Sequence, residues 1–338
     1  MKNHSTFKQL EQDAGIFFPG AMDFMPKGVS HNFGMALDAQ PGLVTVSNAA
    51  IPAYLSNYID PKVIEALVAP MKAAVILGET KKGDWTTTTA MFPAIENTGE
   101  VSSYGDYSNN GVAGANANFN TRESYHYQVI TRWGEKELEM AGLAKLDWAS
   151  RLNMASILVL NKYQNQTYFF GVAGLKLYGL LNDPSLPASI APTAAWSLGT
   201  TGGDVVYADI VRLFTQLQIQ ANGTIDTEEK IVLAMSPTTE VAFNKTNQYN
   251  VNVHDQVKKN FPNIRIETAP EYATVGGQLV QMIVESVEGQ QTATTAFTEK
   301  MRAHGIVKSL SSYEQKKSQG TWGTVIFRPV LIASMIGV

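Results

Sequence analysis

YFFGVAGLKLYGLLNDPSLP, Tyr168–Pro187, carries three glycines, two prolines and only one lysine and one aspartate. Gly171 and Gly174 suit the left-handed residue that commonly ends a helix, and NDPSLP has turn chemistry. The stretch therefore reads as the end of a long helix followed by a tight passage into another unit. Its low charge predicts that this passage is packed against something.

Upstream, Glu135 to about Phe170 is the strongest helical pattern in the chain, with Ala149, Leu152, Ser156, Val159 and Tyr163 at helical spacing and no proline. Unbroken, about 30 helical residues would span roughly 45 Å. Before it, Asn97–Asn118 is rich in Gly, Asn and Ser around Tyr104 and Tyr107, and FNTRESYHYQVITRW alternates. Tyr125, Tyr127, Val129, Thr131 and Trp133 fall on one face, and Ser124, His126, Gln128, Ile130 and Arg132 on the other. Trp85 to Trp133 is thus expected to form an extended two-stranded arm with a glycine-rich tip. An isolated ribbon is marginal in water, so either another copy of the chain packs on it or it is an ordinary hairpin on its own domain. Tyr125 and Tyr127 are candidates for contact with that copy, or cover a local core.

Residues 1–60 mix Gly, Pro, Asn and Asp with Phe17, Phe18, Phe24 and Phe33, and show no sustained period. They read as an arm whose aromatics dock on a receiving surface. YIDPKVIEALV, Tyr58–Val68, predicts a short helix with Asp60 as N-cap and Pro61 at its first position. AAVIL and DWTTTTAMF are strand-like by β-branched content.

Downstream, the pattern from about Ala195 is compact α/β. Residues 204–221 predict a helix carrying Val206, Ile210, Phe214 and Leu217, and Ile231–Met235 a continuously buried strand. Ser236 and Pro237 open another helix as cap and first residue. VHDQVKKNFPN reads as a helix, IRIETAPEY and LVQMIVESV as strands, and WGTVIFRPVLIASMIGV as apolar strand reaching the C-terminus.

The 338 residues have a net charge of −4 and only 17% charged residues, which argues against a basic stripe for nucleic acid. With no cysteine, disulfides, thiolate nucleophiles and cysteine-ligated metals are excluded. Neither a secretory start nor an apolar run of membrane-spanning length is present, so a soluble, unexported chain is expected. The five histidines are scattered outside any HExxH arrangement, and GxxxxGK[ST], GxGxxG and GxSxG are missing. Glu228–Glu229 and EKELE are explained by a solvated turn and an acidic first helical turn. No catalytic residue, cofactor or metal site is expected.

Arm, long loop, very long helix, glycine-marked exit and compact α/β unit, in that order, resemble the major capsid proteins of tailed bacteriophages with the Hong Kong 97-like fold. FFGVAGLKLYGLLNDPSLP, MSPTTEVAFN and GTWGTVIFRPVLIASMIGV look like one branch of that family. The resemblance implies an α+β architecture with an N-arm (residues 1–60) and an extended two-stranded loop (80–134). It also implies a peripheral domain holding the spine helix (61–79 and 135–194), an axial domain (195–290) and a C-terminal return (291–338). It further implies self-association into hexamers and pentamers, an icosahedral head enclosing double-stranded DNA without sequence-specific binding, and a place in the virion after assembly in the host cytoplasm. Partners would be other copies and, as further candidates, a portal, a decoration protein and either a separate scaffolding protein or none, since no long charged segment precedes the arm. The Lys–Asn cross-link of some relatives matches no position here. An encapsulin-type cellular compartment is the nearest alternative, and a soluble α/β enzyme a more distant one. The candidate inter-subunit residues are Phe17, Phe18, Phe24, Trp85, Tyr104, Tyr107, Tyr125 and Tyr127.

Overall fold

The computed structural model describes residues 70–143, 147–197 and 199–338. The arm aromatics Phe17, Phe18, Phe24 and Phe33 and the helix expected at 58–68 lie outside these residues. In chain order the first elements are α1 (Ala73–Leu77), β1 (Glu79–Lys81), β2 (Thr89–Gly99), β3 (Ala113–Glu123) and β4 (Tyr125–Gly134). Next come α2 (Glu135–Leu143), α3 (Trp148–Phe170), α4 (Gly203–Gln220), β5 (Ile231–Met235), α5 (Pro237–Glu240), α6 (Val253–Asn260) and β6 (Ile264–Thr268). The chain closes with β7 (Ala273–Thr274), β8 (Gly277–Val284), β9 (Ser286–Val287), β10 (Gln290–Gln291), β11 (Ala293–Lys308), β12 (Ser312–Ile326) and β13 (Ile332–Ile336).

One sheet runs β13-β8-β5-β6, with β7 added to β8 and only β5 and β6 parallel. Strand alternation puts Ile231, Leu233 and Met235 on one face, where Val206, Ile210, Leu213 and Leu217 of α4 cover them. Val232 and Ala234 point the other way, onto Tyr168 and Phe169 of α3 and Ala73 and Ile76 of α1. Burial on both faces is why IVLAM is apolar without a break. Ser236 caps α5, its side chain accepting from the Thr239 amide, and Pro237 follows it. The C-terminal strand buries Ile332, Ala333 and Met335, and the last residue, Val338, is 5% exposed.

The glycine-rich passage folds back on the helix it ends. Gly171, at φ +64°, donates to the Thr167 carbonyl, and the amides of Leu180 and Leu181 donate to the carbonyls of Tyr168 and Phe169. A Cβ at Gly179 would lie 2.2 Å from the Phe169 carbonyl, and one at Gly171 would lie 2.2 Å from the Leu177 oxygen. The packing expected from the missing charge is thus against the chain's own helix end and against β12, where Thr324 donates from its amide to the Tyr178 carbonyl. Since the clashing atoms are backbone, Gly179→Ala should cost on the order of 3 kcal/mol or more. The check is a lower denaturation midpoint, or loss of soluble protein, relative to a control at Gly305, where a Cβ meets nothing within 4 Å.

Three expectations need correction. AAVIL is helical, not strand: Ala73 and Ile76 bury one face, Asn165 Oδ1 accepts from the Ala73 amide at 3.1 Å, and Arg265 holds the carbonyls of Val75 and Ile76. Tertiary contacts override the propensity of its β-branched residues. The long helix is two helices, α2 and α3, the second opening at Asp147, whose carboxylate accepts from the Ser150 amide. Its 23 residues span about 35 Å, and its buried face runs through Ser156 and Leu160 while Val159 is exposed. The two-stranded arm is β2 paired with β3 alone, from Thr89↔Glu123 to Gly99↔Ala113, so only residues 100–112 are an unpaired tip. Past Ser124 the chain joins a different sheet, β1-β11-β12-β4.

Candidate assembly surfaces

The root of the β2–β3 ribbon is fixed by a buried ion pair. Arg122, 6% exposed, reaches Asp183, 4% exposed, at 2.5 Å and lies over the Tyr178 ring at 4.7 Å. Asp183 also accepts from the amide and hydroxyl of Ser185, so the carboxylate is satisfied where it is desolvated. Nearby, the Glu123 amide donates to the Lys176 carbonyl, and Ser124 gives its amide to Thr88 and its hydroxyl to Thr87. The passage after the long helix is thus the socket in which the ribbon is seated.

Tyr125 and Tyr127, proposed contacts from sequence, find partners inside the subunit. The Tyr127 ring meets Tyr163 of α3 at 4.7 Å and its hydroxyl donates to Gln319 at 2.7 Å; Tyr125 lies 6.3 Å from Tyr163. Burial pushes the Tyr127 phenol well above its ordinary range. In the same seam Lys317 donates to Asn153 and Ser156, and burial lowers its ammonium below the usual lysine value. Residues 125 and 127 therefore cover a local core between sheet and helix, the second of the two readings open at the sequence level.

Trp85 is also held within the chain. Its ring takes His126 edge-on at 4.5 Å, His304 at 6.5 Å and the Arg302 guanidinium at 4.9 Å. These partners are distant in sequence, so nothing near Trp85 announces them.

What remains outward is the ribbon itself. Tyr104 and Tyr107 at the tip are 93% and 101% exposed, and Met91, Ile95 and Phe119 project from its strands into solvent. A second apolar surface was not anticipated. The β11–β12 hairpin, 16 and 15 residues long, presents Ile306, Val307 and Leu310 near its turn. It adjoins α2, which buries none of its residues and exposes Leu138, Met140 and Leu143. Among the described residues no group of His, Asp and Glu is placed to hold a metal, and no helix is long and apolar enough to cross a membrane.

A body with interlocked cores, from which ribbon and hairpin project with exposed apolar side chains, is built to meet neighbours. Over residues 42–337 the sequence matches the Pa193 gp26 major capsid protein family. The chain belongs to that family.

This major capsid protein has the Hong Kong 97-like α+β fold. Its structure is similar to the capsid of Myoviridae phage XM1, with a TM-score of 0.72 at 16% identity over 86% of this chain and 100% of that one. The capsid of a native GTA particle gives 0.60 at 11% identity, covering 88% and 100%, and Mycobacterium phage Bobi 0.57 at 12%, covering 83% and 95%. No curated protein sequence matches the chain. Family membership makes it a shell protein of an icosahedral head, favours the phage head over the cellular-compartment alternative, and assigns it to the virion and to association with copies of itself.

Proposed function

We propose that copies of this capsid protein associate as hexamers and pentamers in which each ribbon lies across the neighbouring subunit, closing a head around double-stranded DNA. The observation that carries this reading is the ribbon: eleven paired residues per strand bearing Met91, Ile95 and Phe119 in solvent, with two fully exposed tyrosines at the end. Two strands alone do not hold such a surface in water, and tyrosine supplies contact area with a polar handle at interfaces. Heterologous contacts of this kind repeat around symmetry axes. The acidic balance suits DNA that is enclosed without sequence-specific binding. A separate scaffolding protein, a portal and a decoration protein are the other expected partners, with assembly in the host cytoplasm.

Tyr104→Ser with Tyr107→Ser tests the role of the tip. Both side chains are free of the core, so the subunit should melt within about 0.5 kcal/mol of the parent. Shell yield by size exclusion and electron microscopy should fall at least about tenfold, because a contact worth about 1 kcal/mol or more recurs in every copy. Shells at parental yield would contradict the proposal.

A further inference from the structure

Both strands of the ribbon leave the body through one cluster of charged and aromatic groups. Trp85 lies four residues before β2, and His126 three residues after β3. The pleat puts His126 on the sheet face opposite Tyr127 and α3, and there the Trp85 turn covers it. His126 Nε2 is 3.2 Å from the Thr298 hydroxyl, and His304 Nε2 is 2.9 Å from that of Ser318. Gly320 is required between them, since a Cβ there would lie 2.0 Å from Thr298 Oγ1 and 2.7 Å from the His126 ring.

Cations outnumber anions around the indole even while the imidazoles are neutral. Arg302, stacked on Trp85, is paired with Glu299 at 2.9 Å. In the turn itself Lys81 faces Asp84 at 3.9 Å, and β12 adds Lys316, two residues from Ser318 on the same face. Each anion in this set already has a cation. Protonating His126 adds a further cation to this excess, opposed only by Glu299, which is already shared with Arg302.

We propose that Trp85, His126, His304 and Arg302 form a proton-released latch, which holds the root of the ribbon on the sheet while the His126 imidazole is neutral and lets it go when that imidazole is charged. The sign follows from burial, which holds His126 below its ordinary value of 6.5 against an opposing pull from Glu299. The unfolded turn therefore binds protons more readily than the docked one. The latch's stability is present above about pH 6.5 and is lost as pH falls through the docked value. Its effect on shells rests on the proposed role of the ribbon; the latch itself is a local equilibrium present in subunit and shell alike.

Hydrogen exchange of the unassembled protein, compared at about pH 7.5 and about pH 5.5 after correction for intrinsic rates, tests it without any need for assembly. Amides of residues 84–88 and 124–127 should exchange several-fold faster at the acidic value, while those of Ile231–Met235 stay protected. The difference should vanish in His126→Gln/His304→Gln. Because that variant could itself disturb the turn, the His126 imidazole is followed separately by NMR in the native chain. It should titrate below 6.5 and move back toward that value in Trp85→Ala. Unchanged protection between the two pH values, loss shared by β5, a pH response retained in the double variant, or an ordinary His126 titration would each overturn the latch.

Discussion

Replacing residues 100–112 with a two-residue Asn-Gly turn is expected to give a subunit that melts like the parent and forms no stable shells. The cut removes only unpaired chain, leaving the pairs from Thr89↔Glu123 to Gly99↔Ala113 intact, and Asn-Gly is the favoured connection for a two-residue hairpin. The excised tip contains Tyr104 and Tyr107 and exposes Val101 and Val112. Its hydrogen bonds stay within the tip or close to its base, as in Ser102 to Asn110, Tyr104 to Asp106 and Glu100 to Val112. No stabilising contact to the body is lost, so thermal melting should be unaffected while assembly falls below detection by size exclusion. Shells of normal yield from this variant would remove the tip from the assembly mechanism.

The second large effect is expected in stability. Asp183→Asn keeps an acceptor for Ser185 but leaves the Arg122 guanidinium buried without its counter-charge. Breaking one side of such a pair costs about 3–5 kcal/mol, which for a 338-residue chain lowers Tm by roughly 4–7 °C. The Arg122 Nε has no hydrogen-bond partner, so the guanidinium has little else to fall back on. Replacing both residues by apolar ones of similar volume should recover much of the loss, because it removes the desolvated charge along with its partner. A single variant melting at the parental temperature would show that the ribbon is not anchored through this pair.

The elements that sequence patterning predicted correctly are those whose environment is local and regular. Ile231–Met235 is apolar throughout because it is covered on both faces, and Ser236–Pro237 opens a helix by capping chemistry alone. The glycines after Phe170 were readable because a helix stop and a backbone crossing at 2.2 Å both demand them. Period-2 alternation in 119–133 was also real, but it spans two strands in two sheets. The break at Ser124, where its hydroxyl is drawn to Thr87, does not disturb the side-chain period. The β11–β12 hairpin escaped notice for the opposite reason: its pairing shifts register repeatedly between Ala296 and Ile306, and each bulge resets the alternation that would reveal a strand.

The exposed apolar surface was legible only in part. Tyr104 and Tyr107 stand in solvent as a glycine-rich tip suggests, whereas Trp85, Tyr125 and Tyr127 carry the same aromatic signal and are spent on partners inside the subunit. Composition does not distinguish an aromatic that faces solvent from one that, like Tyr127, faces Tyr163 on a helix far along the chain. Met91 and Ile95 lie in the mixed stretch TAMFPAIENTG and Phe119 in the polar AGANANFNTRE, and only the pairing of β2 with β3 gathers them on one projecting ribbon.

Electron cryomicroscopy of the purified full-length protein, alone and with a crowding agent, measures the central claim most directly. Closed shells or rings of five and six subunits, with density for each ribbon lying over the adjacent subunit and Tyr104 and Tyr107 buried in that contact, are the predicted result. Shells in which the ribbon folds back on its own subunit, or only small uniform oligomers under both conditions, would contradict it.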